Sequence, residues 1–201
     1  MKLHYYKIRF VLLSLLSAIS FQVFSQDTIV VSLAHGSKPN PQFKDEYRTI
    51  GGMRGGHVVI EIDNNAYGFY FKGNRIHTFP HRNTKNGVFQ KETIKEWEQR
   101  TRDKKVTTIF IPVTTEEKLK LLAFYNANLK SPSYDYAFFG QRCASSVYTQ
   151  LKSIHKLKGG SYVFRAFHPK KLRKTILKQN DVNGYKINVK AGIVKRKWEG
   201  D

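Results

Sequence analysis

Cysteine and acidic residues are scarce in this 201-residue sequence. The single cysteine, Cys143, excludes an intramolecular disulfide and every zinc or iron–sulfur site that needs several cysteines. Only 15 Asp and Glu residues stand against 35 Lys and Arg residues, and the formal net charge of +20 favours anionic partners. No Walker motif is present, and the glycine pairs at 51–52 and 55–56 lack the GxGxxG spacing of a dinucleotide site. The sequence therefore predicts no cofactor.

The N-terminal apolar run is too short to cross a membrane. Residues 1–25 begin with three basic residues, continue as an apolar stretch from Phe10 to Phe24, and end in a small-residue cleavage site before Gln26. The stretch is about 15 residues long, whereas a membrane span needs roughly 20 apolar residues. We therefore expect a cleaved secretory signal peptide, no transmembrane span after cleavage, and a periplasmic or secreted protein. The signal carries three basic and no acidic residues, so the mature chain keeps a formal charge of +17.

Residues 26–201 contain no repeat or linker, which predicts a single catalytic-type domain with a basic C-terminal helix and tail. β-Branched and alternating segments predict strands at 28–34, 57–63, 67–71, 75–79, 106–113, 162–164 and 185–189. Apolar spacing predicts helices at 91–100, from a Thr-Thr-Glu-Glu capping box at 114–117 to about 131, from 141 or 142 to 155, and at 169–178. The expected fold class is α+β, with an antiparallel β-sheet packed against helices.

Cys143 lies at the predicted start of a helix, directly after Arg142. Unpaired backbone N–H groups and the helix dipole favour an anion at such a position, and a neighbouring cation adds to the effect, so we expect a lowered thiol pKa. The aromatic, glycine-broken segment before it, Tyr134 to Gln141, is typical of a walled cleft. The alternative is a small buried hydrophobe, which is how most single cysteines behave. Cys143 is the candidate nucleophile.

His57 is the best placed partner for this thiol, because two glycines precede it and it opens a strand. Glu61 lies four residues further along the same strand face and is the first candidate to orient the imidazole, although an ideal strand separates the two residues by about 13 Å. Asp63 and His77 compete for that third role. Each histidine alone is more often structural, but a histidine at a strand end and a cysteine at a helix start together favour a Cys–His pair.

Five further residues are expected to line the cleft or bind substrate: His35, Tyr134, Asp135, Tyr136 and Arg142. His35 ends the first predicted strand, and its alternative is a polar residue associated with a turn. A zinc site through three histidines would need tight ligand spacing or an HExxH-like helix, and the sequence has neither. No metal site is therefore predicted.

The order of a histidine at the head of an early strand and a cysteine at the head of a later helix resembles the circularly permuted papain-like superfamily. This group includes permuted NlpC-type amidases, the YiiX-like enzymes and the lecithin retinol acyltransferase group. The matching segments are GGHVVIEID around His57 and YDYAFFGQRCASSVY around Cys143, within residues 50–155. The resemblance implies a thiol nucleophile at a helix N-terminus, packed against the strand with the base, and chemistry on amide or ester carbonyls. The strand Tyr67 to Phe71 lacks the family's usual polar third residue.

An exported, thiol-dependent acyl hydrolase or transferase is the function that these observations favour. Its substrate would be a peptide amide or an acyl group of the cell envelope, and its positive charge would attract anionic envelope polymers. The alternative is a non-enzymatic basic module that binds polyanions through the C-terminal helix, with Lys170, Lys171, Arg173, Lys174 and Lys178. Because export removes most intracellular nucleic acid, no specific nucleic-acid site is expected.

Overall fold

A computed structural model describes residues 27–36, 56–73, 75–83 and 85–192, with the side chains at 180–183 outside this description. Its strands are β1 (Asp27–Ala34), β2 (His57–Ile62), β3 (Asn65–Phe71), β4 (Gly87–Thr93), β5 (Val106–Val113) and β6 (Lys186–Lys190). Its helices are α1 (Ile94–Arg100), α2 (Thr115–Lys130), α3 (Cys143–Ser153), α4 (Tyr162–Arg165) and α5 (Pro169–Asn183). The predicted signal peptide, glycines 51, 52 and 55, and the basic tail lie outside the described residues.

The six strands form one antiparallel sheet in the order β4-β3-β2-β1-β5-β6. The main apolar core lies on one face, where α2, α3 and α5 pack against the sheet. A smaller core on the other face includes Val59 and Trp97 of α1. The predicted α+β class with an antiparallel sheet against helices is confirmed. No helix among the described residues is both long and apolar enough to span a membrane.

Strand β2 separates the two cores, and all six of its residues are buried. Because successive side chains of a strand point to opposite faces, Val58, Ile60 and Ile62 join the main core. His57, Val59 and Glu61 share the other face, where Val59 packs in the core beneath α1. This alternation decides the surroundings of every candidate residue on β2.

Two helix starts follow from capping boxes. Thr114 caps α2, because its side chain accepts from the Glu117 N–H while the Glu117 carboxylate accepts from the Thr114 N–H, as predicted. Thr93 and Glu96 make the same reciprocal bonds at the start of α1. The helix predicted at 91–100 therefore begins only after Thr93, and residues 87–93 form a strand that the sequence analysis missed.

Two predicted strands are wrong. Residues 75–79 form no strand, and within them only His77 makes an isolated bridge, to Ala137. The neighbour of β3 is β4 instead, where Phe89 packs on Phe69 with ring centroids 4.6 Å apart. Residues 162–164 belong to helix α4, because the Ser161 side chain accepts from the Val163 N–H and starts a helical turn.

Candidate active site around Cys143

Cys143 is the first residue of α3, which begins one or two residues after the predicted start at 141 or 142. The Arg142 N–H donates to the Ser145 Oγ at 2.7 Å, and the Ser146 N–H donates to the Arg142 carbonyl at 2.8 Å. These bonds fix the first turn of the helix. Tyr134 supports the same turn, since its hydroxyl and the Ser146 hydroxyl are 2.6 Å apart. The half-buried Tyr134 ring packs on the core rings of Phe69 and Phe89, so this residue ties the start of α3 to the core.

The sulfur of Cys143 faces three hydrogen-bonding groups. They are the backbone N–H of Ala144, the hydroxyl of Tyr136 and the backbone N–H of Val58 on β2. The registered pairing of β2 with β3 ends at Val59 opposite Gly68, while β3 continues along β4. The thiol therefore lies where the sheet begins to open, next to a strand N–H and at the N-terminus of a helix.

Burial favours the protonated form of the Cys143 thiol. Burial raises the pKa of Cys143 and outweighs the lowering effects of Arg142, the Ala144 N–H, Tyr136 and the Val58 N–H. The lowered thiol pKa expected from the helix start and from Arg142 is therefore wrong for this arrangement. Burial also raises the pKa of the Tyr136 hydroxyl, which stays a hydrogen-bond donor toward the sulfur.

The structure places His57 next to Cys143 along the backbone but does not bring the imidazole and the thiol together. Val58, whose N–H faces the sulfur, follows His57 directly, yet the His57 ring turns to the opposite face of the sheet. There it stacks on Tyr70, with ring centroids 4.2 Å apart, and lies 6.1 Å from the Trp97 ring. Its Nε2 is buried without a hydrogen-bond partner in the part of the chain that the structure describes. Burial, assisted by the charge of Arg100, lowers the pKa of His57 to about 3.

Neither acidic candidate, Glu61 on β2 or Asp63 just after it, is paired with His57 in this fold. Glu61 is hydrogen-bonded to Ser32, and burial raises the pKa of its carboxyl to about 7 despite that bond. Asp63 is exposed in the turn after β2 and pairs with Lys118 at 2.8 Å. The strand pleat puts Glu61 on the same face as His57, but its hydrogen bond is made across to β1.

His35 lies two residues after Leu33, so its side chain points to the same face of the sheet, the one that faces the main core. Its Nε2 lies 2.7 Å from the Thr107 Oγ1, and the Arg173 guanidinium lies 2.6 Å from the same nitrogen. Both His35 and Arg173 are buried. His35 is thus part of a polar contact between β1, β5 and α5, and Arg173 is not available to the predicted polyanion-binding face of α5.

Asp135 ties His77, His81 and Asn86 to the segment before Cys143. Its buried carboxylate accepts the His81 N–H at 3.0 Å and the Asn86 N–H at 2.9 Å, and it lies 2.6 Å from the His77 Nδ1. Burial alone would raise the pKa of Asp135, but these donors outweigh it and lower the pKa. The His77 and His81 rings stack at 3.8 Å. His77, a competing orienting residue in the sequence analysis, is therefore partnered by Asp135.

Arg142 and four phenylalanines form a surface beside the start of α3. The Arg142 guanidinium lies 3.7 Å from the Phe167 ring centroid and donates to the Phe167 carbonyl. The rings of Phe79, Phe139, Phe138 and Phe167 touch in sequence, at centroid distances of 5.5, 4.9 and 5.3 Å. Phe79 is 65% exposed, and Phe138 and Phe139 are about half exposed at 45% and 46%. We call these four rings the aromatic patch.

Only the central part of this patch could be predicted from the sequence. Phe138 and Phe139 belong to the aromatic run before Cys143, whereas Phe79 and Phe167 come from distant segments and were missed. Bonds from Phe138 N–H to the His77 carbonyl and from Phe139 N–H to the Thr78 carbonyl hold the two segments together. Such long-range backbone contacts leave no local pattern. Within the described ranges, no group of three His, Cys, Asp or Glu residues is arranged to hold a metal ion.

Comparison with known proteins identifies no family. No family model matches the chain, and no curated protein matches it. Among solved structures, the chain is similar to the type VI secretion system effector TseH, with a TM-score of 0.49 and 11% sequence identity. The match covers 83% of this chain and 98% of that chain. At this level of similarity, neither a residue's role nor an activity carries over to this chain.

Proposed function

We propose that the protein is an exported, thiol-dependent acyl hydrolase or transferase that acts on amide or ester bonds of the cell envelope, with Cys143 as nucleophile. The observation that carries this proposal is the position of the sulfur. It lies at the first residue of α3, facing the Ala144 N–H, the Val58 N–H and the Tyr136 hydroxyl. A sulfur that must pass through a thiolate benefits from such donors, whereas a purely apolar core cysteine has no use for them.

The reaction begins with attack of the sulfur on the substrate carbonyl carbon. The S–C bond forms as the thiol proton is removed, and the oxygen that becomes negative is held by backbone N–H groups at the start of α3 and by the Tyr136 hydroxyl. The C–N or C–O bond of the substrate then breaks, and the leaving amine or alkoxide takes the proton. Water hydrolyses the resulting thioester, or a second amine or alcohol accepts the acyl group.

His57 is the proposed proton carrier between thiol and leaving group. Its backbone adjoins the Val58 N–H that faces the sulfur. In its buried position the ring, with a pKa of about 3, is too weak a base to take the thiol proton. The ring must leave its stack on Tyr70 and turn toward the opening between β2 and β3 when substrate binds. We assign the described arrangement to the resting enzyme, in which the thiol stays protonated and inert.

The aromatic patch favours an acyl group of a lipid or lipoprotein over a peptidoglycan peptide as substrate. Phe138 belongs to this patch and lies 5.4 Å from the Arg142 guanidinium, whose residue directly precedes Cys143. Burying one exposed phenylalanine side chain against an alkyl chain stabilises a complex by roughly 1.5–3 kcal/mol. A peptide substrate, with its polar backbone, would gain less than an alkyl chain from three half-exposed or exposed rings.

Turnover of a substrate panel tests the proposal. Purified mature protein is assayed on p-nitrophenyl esters with acyl chains of two to twelve carbons, on a diacylated lipopeptide and on muropeptides. Cys143→Ala should lower kcat by a factor on the order of a thousand or more, and His57→Ala should lower it strongly. Ser153→Ala, at the other end of α3, is the matched control and should keep wild-type turnover. Full turnover by Cys143→Ala, or no turnover of any panel member by the wild type, would contradict the proposal.

A further inference from the structure

A basic cavity lies between the C-terminal end of α3 and helix α5, apart from Cys143 at the opposite end of α3. Its volume is about 650 Å³, within the range of small-molecule sites. Among the described side chains, the lining contains five Lys and Arg residues, one histidine and no carboxylate: Lys152, His155, Lys156, Lys158, Arg165 and Lys178. A cavity with this lining repels cations and attracts anions.

One of these cations is neutralised within the described structure. Lys156 pairs with Glu117 at 2.8 Å. Lys152, Lys158, Arg165 and Lys178 have no ion pair with any carboxylate among the described residues. About four positive charges therefore line the cavity without a carboxylate partner among the described side chains, which favours a bound anion.

The walls of the cavity are built by bonds that do not consume these charges. The Thr175 hydroxyl donates to the Arg165 carbonyl at 2.6 Å, which ties α4 to α5. The Tyr148 hydroxyl donates to the Lys158 carbonyl at 3.0 Å, which ties the loop after α3 to the helix itself. The side chains of Lys158 and Arg165 are exposed, so their charged ends remain accessible from the cavity mouth.

We propose that this cavity binds an anion with at least two phosphate groups. Two phosphates carry three to four negative charges at neutral pH, which matches the four unneutralised cations, and lysine is an established point-charge partner for phosphate oxygens. In an exported protein, this chemistry occurs in phosphodiester polymers and in anionic lipid headgroups. The site does not depend on Cys143, so it stands or falls separately from the proposed acyl-transfer function.

Calorimetric titration of the full mature chain with tripolyphosphate tests the site. The cavity variant is Lys158→Glu/Arg165→Glu. The control is Lys91→Glu/Lys95→Glu, which makes the same change in net charge on the edge strand β4 and on α1. The wild type should bind one equivalent. The cavity variant should bind about tenfold more weakly or worse, and the control should stay within about threefold of wild type. Thermal unfolding of both variants near the wild-type temperature shows that the fold is intact.

Further ligands identify the chemistry and its source. A glutamate oligomer of equal charge should bind at least tenfold more weakly than tripolyphosphate. A soluble glycerol-phosphate oligomer and vesicles that contain phosphatidylglycerol are then tested for displacement by tripolyphosphate, and whichever is displaced is the source of the phosphates. Three results would overturn the proposal: no binding of tripolyphosphate, equal weakening in the cavity and control variants, or equally tight binding of the glutamate oligomer.

Discussion

His57 should make the protein unstable in acid. The imidazole has a pKa of about 3 in the fold and 6.5 as a free group, so between these values the unfolded chain binds a proton that the folded chain does not. The stabilisation is therefore complete above pH 6.5 and is lost as pH falls toward 3. Each pH unit corresponds to about 1.36 kcal/mol, and the full interval lowers the free energy of unfolding by about 5 kcal/mol.

Comparison with His57→Phe isolates this contribution. Phenylalanine keeps an aromatic ring against Tyr70 but cannot bind a proton. Urea unfolding followed by circular dichroism from pH 7.5 to 3.5 gives the free energy of unfolding of each protein, and the difference between them should change by about 4 kcal/mol across this range. A difference that stays constant with pH would refute the assignment of His57 as a buried, neutral ring.

Four further outcomes are expected. The wild type should lose up to about 3 kcal/mol of unfolding free energy as pH rises from 4.5 through 7, because burial raises the Glu61 pKa to about 7 and only the folded chain holds the proton between these values. Glu61→Gln should remove this loss, and equal pH slopes of unfolding in the two proteins would contradict this. Asp135→Ala should lower the free energy of unfolding by about 2–4 kcal/mol in urea unfolding, because three donors lose their acceptor, and should speed proteolytic cleavage in the loop at 75–86. Alkylation of Cys143 by iodoacetamide should be slow at pH 7 and accelerate above pH 9, because burial raises the thiol pKa; rapid reaction at pH 7 would show an open, ionised thiol. Phe139→Ser should raise KM for a twelve-carbon p-nitrophenyl ester about tenfold and leave KM for the two-carbon ester unchanged, and an equal rise for both esters would remove the aromatic patch from the acyl site.

The sequence predicted the strands and helices that have strong local patterns. The alternation of Val58, Ile60 and Ile62 defined β2, and the capping box at Thr114 defined the start of α2. The start of α3 was predicted to within two residues, because Gly140 and a polar pair precede an apolar stripe. The strand β4 was missed because the polar residues in its second half, up to Thr93, interrupt the apolar–polar alternation that indicates a strand.

The site was less predictable, because it depends on which face of β2 packs against α3, the helix that begins with Cys143. Strand alternation alone places His57 and Val58 on opposite faces, whereas the predicted Cys–His pair needs Cys143 on the His57 face. The apolar stripe of α3 packs on the apolar face of β2, so the more hydrophobic side, with Val58, was the better expectation. The raised thiol pKa has the same origin, because burial depends on packing that no local pattern records.

Trapping of an acyl-enzyme tests the central claim most directly. Wild-type protein is mixed with an excess of p-nitrophenyl octanoate, quenched in acid within the first turnover, and its intact mass is measured together with the released p-nitrophenol. The account predicts a burst of about one equivalent and a mass increase of one octanoyl group, located on Cys143, removed by neutral hydroxylamine and absent from Cys143→Ala. An unmodified Cys143 in the wild type, or the same adduct in Cys143→Ala, would contradict the assignment of Cys143 as nucleophile.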